Sequence, residues 1–121
     1  MDFNIVKRQI INEYLKLYGD IRKDDTWSLE NCIAIFDYYY KLYECTFGVE
    51  HPHITNKTVR DIIEKLPFLS SDCNGVYDIT PEDYPVMIEA YFTQAFQNCN
   101  YSISHFMSGD IRNLRYYETL Y

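Results

Sequence analysis

The chain has 121 residues, 47% of them hydrophobic, and a net charge of −7; its length suits one domain around one core, since halves of it could not bury enough surface alone. No stretch approaches the roughly 20 apolar residues that a membrane helix needs, and the four glycines stand apart, which excludes a glycine-rich phosphate loop. Charge is uneven: residues 1–60 hold eight Lys/Arg against nine Asp/Glu and residues 61–121 hold three against nine, a field that repels a phosphate backbone and attracts basic protein surfaces.

Met1-Asp2-Phe3-Asn4 runs into Lys7-Arg8 with neither an apolar core nor a small-residue cleavage site. No signal peptide is expected, and the expected location is cytoplasmic. Cys32, Cys45, Cys73 and Cys99 form no CxxC pair and read as reduced thiols, about half of them buried.

From Phe3 to Tyr18 the series Val6, Ile10, Tyr14 and Leu17 has helical spacing, closed by Gly19. Asp24-Asp25-Thr26 offers capping oxygens for a second helix with Leu29, Ile33, Phe36, Tyr40, Tyr43 and Phe47 on one face. Its opposite edge carries Glu30, Asp37, Lys41 and Glu44, so that Asp37/Lys41 and Lys41/Glu44 are helical neighbours. Gly48 closes it.

His51-Pro52-His53 dictates an extended connection, and Thr55 caps a short third helix through Val59, Ile62, Ile63 and Leu66, ended by Pro67. Ser70 to Asp78, with Asn74-Gly75, reads as a loop and leaves room for a short hairpin at 69–79. Thr80-Pro81-Glu82-Asp83 has the chemistry of a helix start, with Pro85 setting either a preliminary turn before a helix from about Tyr84 or a kink. Helical spacing continues through Met87, Ile88, Tyr91, Phe92, Ala95 and Phe96, and Asn98-Cys99-Asn100 breaks it. Ser102 to Leu120 is helical with a break at Gly109. The expectation is an all-α single domain over 1–121, a compact bundle of five to six helices.

No constellation carries readable catalysis. His51 and His53 could share a metal from an extended segment, but no second pair of ligands follows. Ser104-His105 and Cys99 lie close in sequence without a nucleophile elbow or a Cys/His arrangement. The chain reads as a non-enzyme with no cofactor and no metal. Thr55 to Ile63 resembles the second helix of a helix-turn-helix, with Lys57, Thr58 and Arg60 to face DNA. Leu114-Arg115-Tyr116-Tyr117-Glu118 resembles a MerR-type signature, but that family places it after an N-terminal recognition helix, and only three residues follow here.

Thirteen tyrosines exceed what a core of this size calls for, and a ring with a hydrogen-bonding tip suits a binding surface. An acidic, tyrosine-rich face can imitate phosphates and occupy the nucleic-acid groove of a basic protein. The expected partner-binding residues are Asp72, Asp78, Glu82, Asp83 and Glu89 with Tyr77, Tyr84 and Tyr91, on one accessible side of the C-terminal half. Alternatives are the helix-turn-helix regulator and a homodimer or assembly protein with a tyrosine seam.

Tyr39 to Pro67, with Gly48, His51-Pro52 and Leu66-Pro67, and Tyr101 to Tyr121, with His105-Phe106-Met107-Ser108-Gly109-Asp110-Ile111, resemble small proteins carried by phages and mobile elements of Gram-positive bacteria. In size, acidity and lack of catalytic motifs the chain is similar to anti-CRISPR proteins. The resemblance implies a phage-borne inhibitor whose partner is a basic nucleic-acid-binding protein such as a CRISPR effector, with neither membrane nor direct nucleic-acid contact.

Overall fold

A computed structural model describes residues 3–20, 26–67, 79–94, 99–108 and 111–119. Among these the regular structure is entirely helical: α1 (Phe3–Tyr18), α2 (Leu29–Phe47), α3 (Asn56–Lys65), a 3-10 turn (Pro81–Asp83), α4 (Tyr84–Phe92), α5 (Ile103–Phe106) and α6 (Ile111–Thr119). The hairpin expected at 69–79 falls almost wholly outside the described residues. No described helix is long and apolar enough to cross a membrane.

The helix ends follow from local chemistry. Ser28, not Asp24-Asp25-Thr26, caps α2: its Oγ accepts the Asn31 N–H at 3.2 Å, while the Asn31 side chain reaches back to the Thr26 carbonyl at 2.8 Å. Thr55 caps α3 by accepting the Thr58 N–H at 3.2 Å. Gly19 and Gly48 take the left-handed conformation (φ +80° and +70°) and return their N–H groups to Leu15 and Glu44, the conformation in which a side chain is strained and glycine is not. Ahead of α4 the Thr80 N–H and hydroxyl both donate to the Asp83 carboxylate, at 2.8 and 3.1 Å. The prolines therefore make a preliminary turn and leave α4 unkinked at Pro85.

α1 packs on α2 and α3, α2 on α4, and α4 on α6. The core runs from Val6 and Ile10 of α1 through Phe36 and Tyr39 of α2 and Val59 and Ile63 of α3 to Met87 and Ile88 of α4 and Phe106 of α5; burying each such side chain contributes about 1.5–3 kcal/mol. Trp27 is buried edge-on to the Tyr84 ring at 6.1 Å. Glu13 is buried on the α1–α3 side, where Lys16 (3.0 Å) and Arg60 (3.5 Å) meet its carboxylate.

Tyrosine is the main material of this core. Tyr14, Tyr39, Tyr40, Tyr43, Tyr84, Tyr91 and Tyr116 are buried, and four of their hydroxyls donate to backbone carbonyls outside regular helix: Tyr14 to Trp27 (2.9 Å), Tyr39 to Tyr101 (2.6 Å), Tyr43 to Asn100 (3.2 Å) and Tyr84 to Leu66 (2.5 Å). A ring that fills the interior while its tip satisfies an otherwise orphaned carbonyl serves packing and loop anchoring together. Tyr101 itself has φ +57°, a left-handed conformation costing a side-chain-bearing residue about 1–2 kcal/mol. Besides the bond from Tyr39, its N–H meets Cys99 Sγ at 3.1 Å and its hydroxyl donates to Gln94.

Candidate interaction face on α2 and α4

The face begins with the two-sidedness of α2. Cys32, Ile35, Phe36, Tyr39, Tyr40 and Tyr43 point inward, which leaves Glu30, Ala34, Asp37, Lys41 and Glu44 along the outer side at spacings of three and four. The 3-10 turn and α4 lie alongside. Between them Ala34, Ile35, Tyr38, Pro81, Pro85 and Ile88 line a groove of about 260 Å³, with Asn31 and Glu82 as its polar members.

Two carboxylates adjoin this apolar floor. Glu82 lines it; Glu89 accepts a hydrogen bond from the Tyr38 hydroxyl in its wall, and this bond, with burial behind it, pushes the Tyr38 pKa up to about 12. Glu30 precedes the lining residue Asn31 on α2, whereas Asp37 and Lys41 face a separate pocket with Phe3 and His51. Lys41 is the single basic residue in α2, the 3-10 turn and α4, and it pairs with Asp37 at 2.8 Å. Val86 stands exposed on the outer side of α4.

Of the eight residues expected to bind a partner, Glu82 and Glu89 are exposed and share this groove. Asp83 is half-buried and engaged as the cap of the 3-10 turn. Tyr84 and Tyr91 are 0% exposed, which removes them from any surface: Tyr84 bridges Leu66 and Arg112, and Tyr91 Oη lies 2.7 Å from His105 Nδ1. Burial raises both phenol pKa values. Asp72, Tyr77 and Asp78 lie outside the described residues. The exposed carboxylates among the described residues include Glu30 and Glu44 on α2 and Glu82 and Glu89 near it, with Glu64 and Glu118 elsewhere. Burial of seven tyrosines also takes them out of an intermolecular seam. What sequence reasoning missed was the groove's floor, although the outer-edge acids of α2 were visible in their spacing.

Other candidate residues have internal roles. His51 is buried; its Nε2 accepts the Ile103 N–H at 2.9 Å and its Nδ1 is 2.7 Å from the Pro52 carbonyl, so both nitrogens are used and neither is free for a metal. Its ring stacks on Tyr40 at 4.1 Å. His53 is exposed. Ser104 Oγ lies 2.8 Å from Ser102 Oγ, and Cys99 lies beside Tyr91, at 3.7 Å from its hydroxyl. In α3, Lys57 pairs with Asp61 (2.9 Å), Arg60 with Glu13 (3.5 Å), and the Thr58 hydroxyl with that of Thr55 (3.0 Å). Lys57 and Arg60 thus each have a carboxylate partner while their side chains remain accessible to solvent. Arg115 is buried and bonds Glu118 one turn on. Cys32 is a buried free thiol, Cys45 an exposed one and Cys99 half-buried.

Comparison of the chain with protein-family models, with curated proteins and with solved structures finds no match.

Proposed function

We propose that this is a non-enzymatic interaction protein that takes a Lys/Arg-rich segment of a nucleic-acid-handling protein into the groove between α2 and α4. The observation that carries the reading is the pairing of an apolar floor (Ala34, Ile35, Pro81, Pro85, Ile88) with two carboxylates, Glu82 in its lining and Glu89 bonded to Tyr38 in its wall. An amphipathic basic helix matches both parts: its apolar side chains displace water from the floor and its cations meet Glu30, Glu82 and Glu89. Occupying such a segment denies it to nucleic acid, which is the action of a phage-borne inhibitor of the anti-CRISPR kind.

The test is binding of a labelled amphipathic Lys/Arg peptide, followed by anisotropy at low and high salt. Glu82→Lys with Glu89→Lys should weaken it at least about tenfold, since close interfacial charge pairs contribute about 1.5 kcal/mol or more each. Reversal of Glu64, exposed on α3, should leave affinity intact. Equal loss from both substitutions would reduce the effect to net charge and discard the groove.

A further inference from the structure

We propose that the α2–α4 groove also takes a second copy of this chain, whose α1 docks by its outer side and closes the groove. The inference rests on the groove as the acceptor and adds how it is regulated: a groove held by a neighbouring copy is withheld from a foreign basic segment.

The choice of α1 follows from what each helix leaves outside. Exposed large apolar side chains stand on α1 (Ile5 and Leu15), at the end of α2 (Phe47), on α4 (Val86) and on α6 (Leu114 and Tyr117). α4 has no cation, the lysine of α2 is paired with Asp37, and the arginines of α6 are buried and bonded within the chain. α3 is basic but exposes no large apolar side chain. Among the described helices α1 alone combines the two properties, since Arg8 is exposed and makes no ion pair or hydrogen bond. Ile5 and Arg8, three residues apart, adjoin on one side of the helix, and Leu15 continues that side about 10 Å beyond Arg8. The opposite side, with Val6, Ile10 and Tyr14, is committed to the core.

The groove offers the matching set. Its apolar floor suits Ile5, and Glu82 in its lining is exposed and, like Arg8, has no ion pair or hydrogen bond among the described residues. Opposite charges that are both unpaired, each beside accessible apolar surface, gain from one another what internally paired charges do not. The net charge of −7 does not prevent the contact. α1 holds Lys7, Arg8 and Lys16 against Glu13, and at physiological salt charges farther apart than about 8 Å are largely screened, so the local excess of positive charge decides. The α1 face and the groove share no residue. A copy spoiled in one can therefore still pair with a copy spoiled in the other.

The experiment is analytical ultracentrifugation of the full chain up to about 1 mM, where weak contacts are populated. The weight-average mass should rise with concentration. Arg8→Glu, and separately Glu82→Lys with Glu89→Lys, should each weaken association at least about tenfold, and Leu114→Ser on α6 should not. These side chains are exposed, so Tm should match wild type, and Ile5→Ser supplies a second α1 variant without a charge change. An equimolar mixture of Arg8→Glu with the Glu82/Glu89 double variant should form one-to-one dimers at concentrations where neither associates alone. The labelled basic peptide should return wild type to monomer. A mass that stays monomeric throughout, association untouched by Arg8→Glu and Ile5→Ser, or a mixture that remains monomeric would each overturn the contact. Monomeric wild type that still binds peptide through Glu82 and Glu89 removes the self-contact and leaves the groove its basic partner; association lost in both variants, without peptide binding, keeps the self-contact and removes the foreign partner.

Discussion

Two neighbouring tyrosines on α2 make the case for what a hydroxyl does in this core. Tyr39 donates to the Tyr101 carbonyl at the left-handed turn, and the hydroxyl of Tyr40 next to it has no hydrogen-bond partner among the described residues. Tyr39→Phe should therefore cost about 1–3 kcal/mol in urea unfolding, because the carbonyl it abandons is left unpaired. Tyr40→Phe, identical in chemistry, should cost nothing. His51 provides the pH dependence. Burial pushes its pKa down to about 4 from 6.5, against the opposing bond to Pro52, so the folded state holds fewer protons than the unfolded between those values. Its contribution is complete above pH 6.5, falls by about 1.4 kcal/mol per pH unit as acid is added, and levels off below about pH 4. Denaturant midpoints of wild type and His51→Gln across that range should converge as pH falls; parallel curves would show that His51 titrates alike in both states. None of this was legible in the sequence, where His-Pro-His reads as a solvated connection and tyrosine suits surface and core equally.

Helices are where sequence and structure agree best. The apolar spacing of α1, the Thr55 cap and the glycine stops are local properties, and local chemistry settles them. Replacing Gly48 by Ala tests one such stop. Its φ is +70° and nothing lies within 4 Å of an added Cβ, so a loss of about 1 kcal/mol in unfolding free energy should come from the backbone alone. The end of α3 has a non-local device. Arg112 of α6 donates to the Lys65 carbonyl and to Tyr84 Oη (2.8 Å), while Tyr84 donates to the Leu66 carbonyl. Arg112→Met should lower stability by about 2–3 kcal/mol and speed hydrogen exchange in α6 and the last turn of α3 together. A cation on a short helix reads as solvated, so periodicity could not show Arg112 and Arg115 turned inward. The α2–α4 groove escaped for a related reason: Ala34 and Pro85 are 51 residues apart, and only packing joins them.

Across the molecule, charge is sorted by element. Lys7, Arg8, Lys16, Lys57, Arg60 and Lys65 stand against Glu13, Asp61 and Glu64 in α1 and α3, whereas α2, the 3-10 turn and α4 hold Glu30, Asp37, Glu44, Glu82, Asp83 and Glu89 against Lys41. The uneven halves of the sequence did not show the acidity of α2, which lies in the half that is nearly neutral in sum. With Lys57 and Arg60 engaged by Asp61 and Glu13, duplex DNA should not be retarded by the protein even at low salt, where a phosphate-binding surface performs best. Retardation that weakens steeply with salt would instead support a DNA regulator. The lone Trp27, sealed inside against Tyr84, also makes the protein report on its own integrity. Ultraviolet energy absorbed by the surrounding tyrosines passes to that single indole while the core is closed, so its opening should be seen as phenol emission returning at the expense of a blue-shifted tryptophan band, with no dye attached.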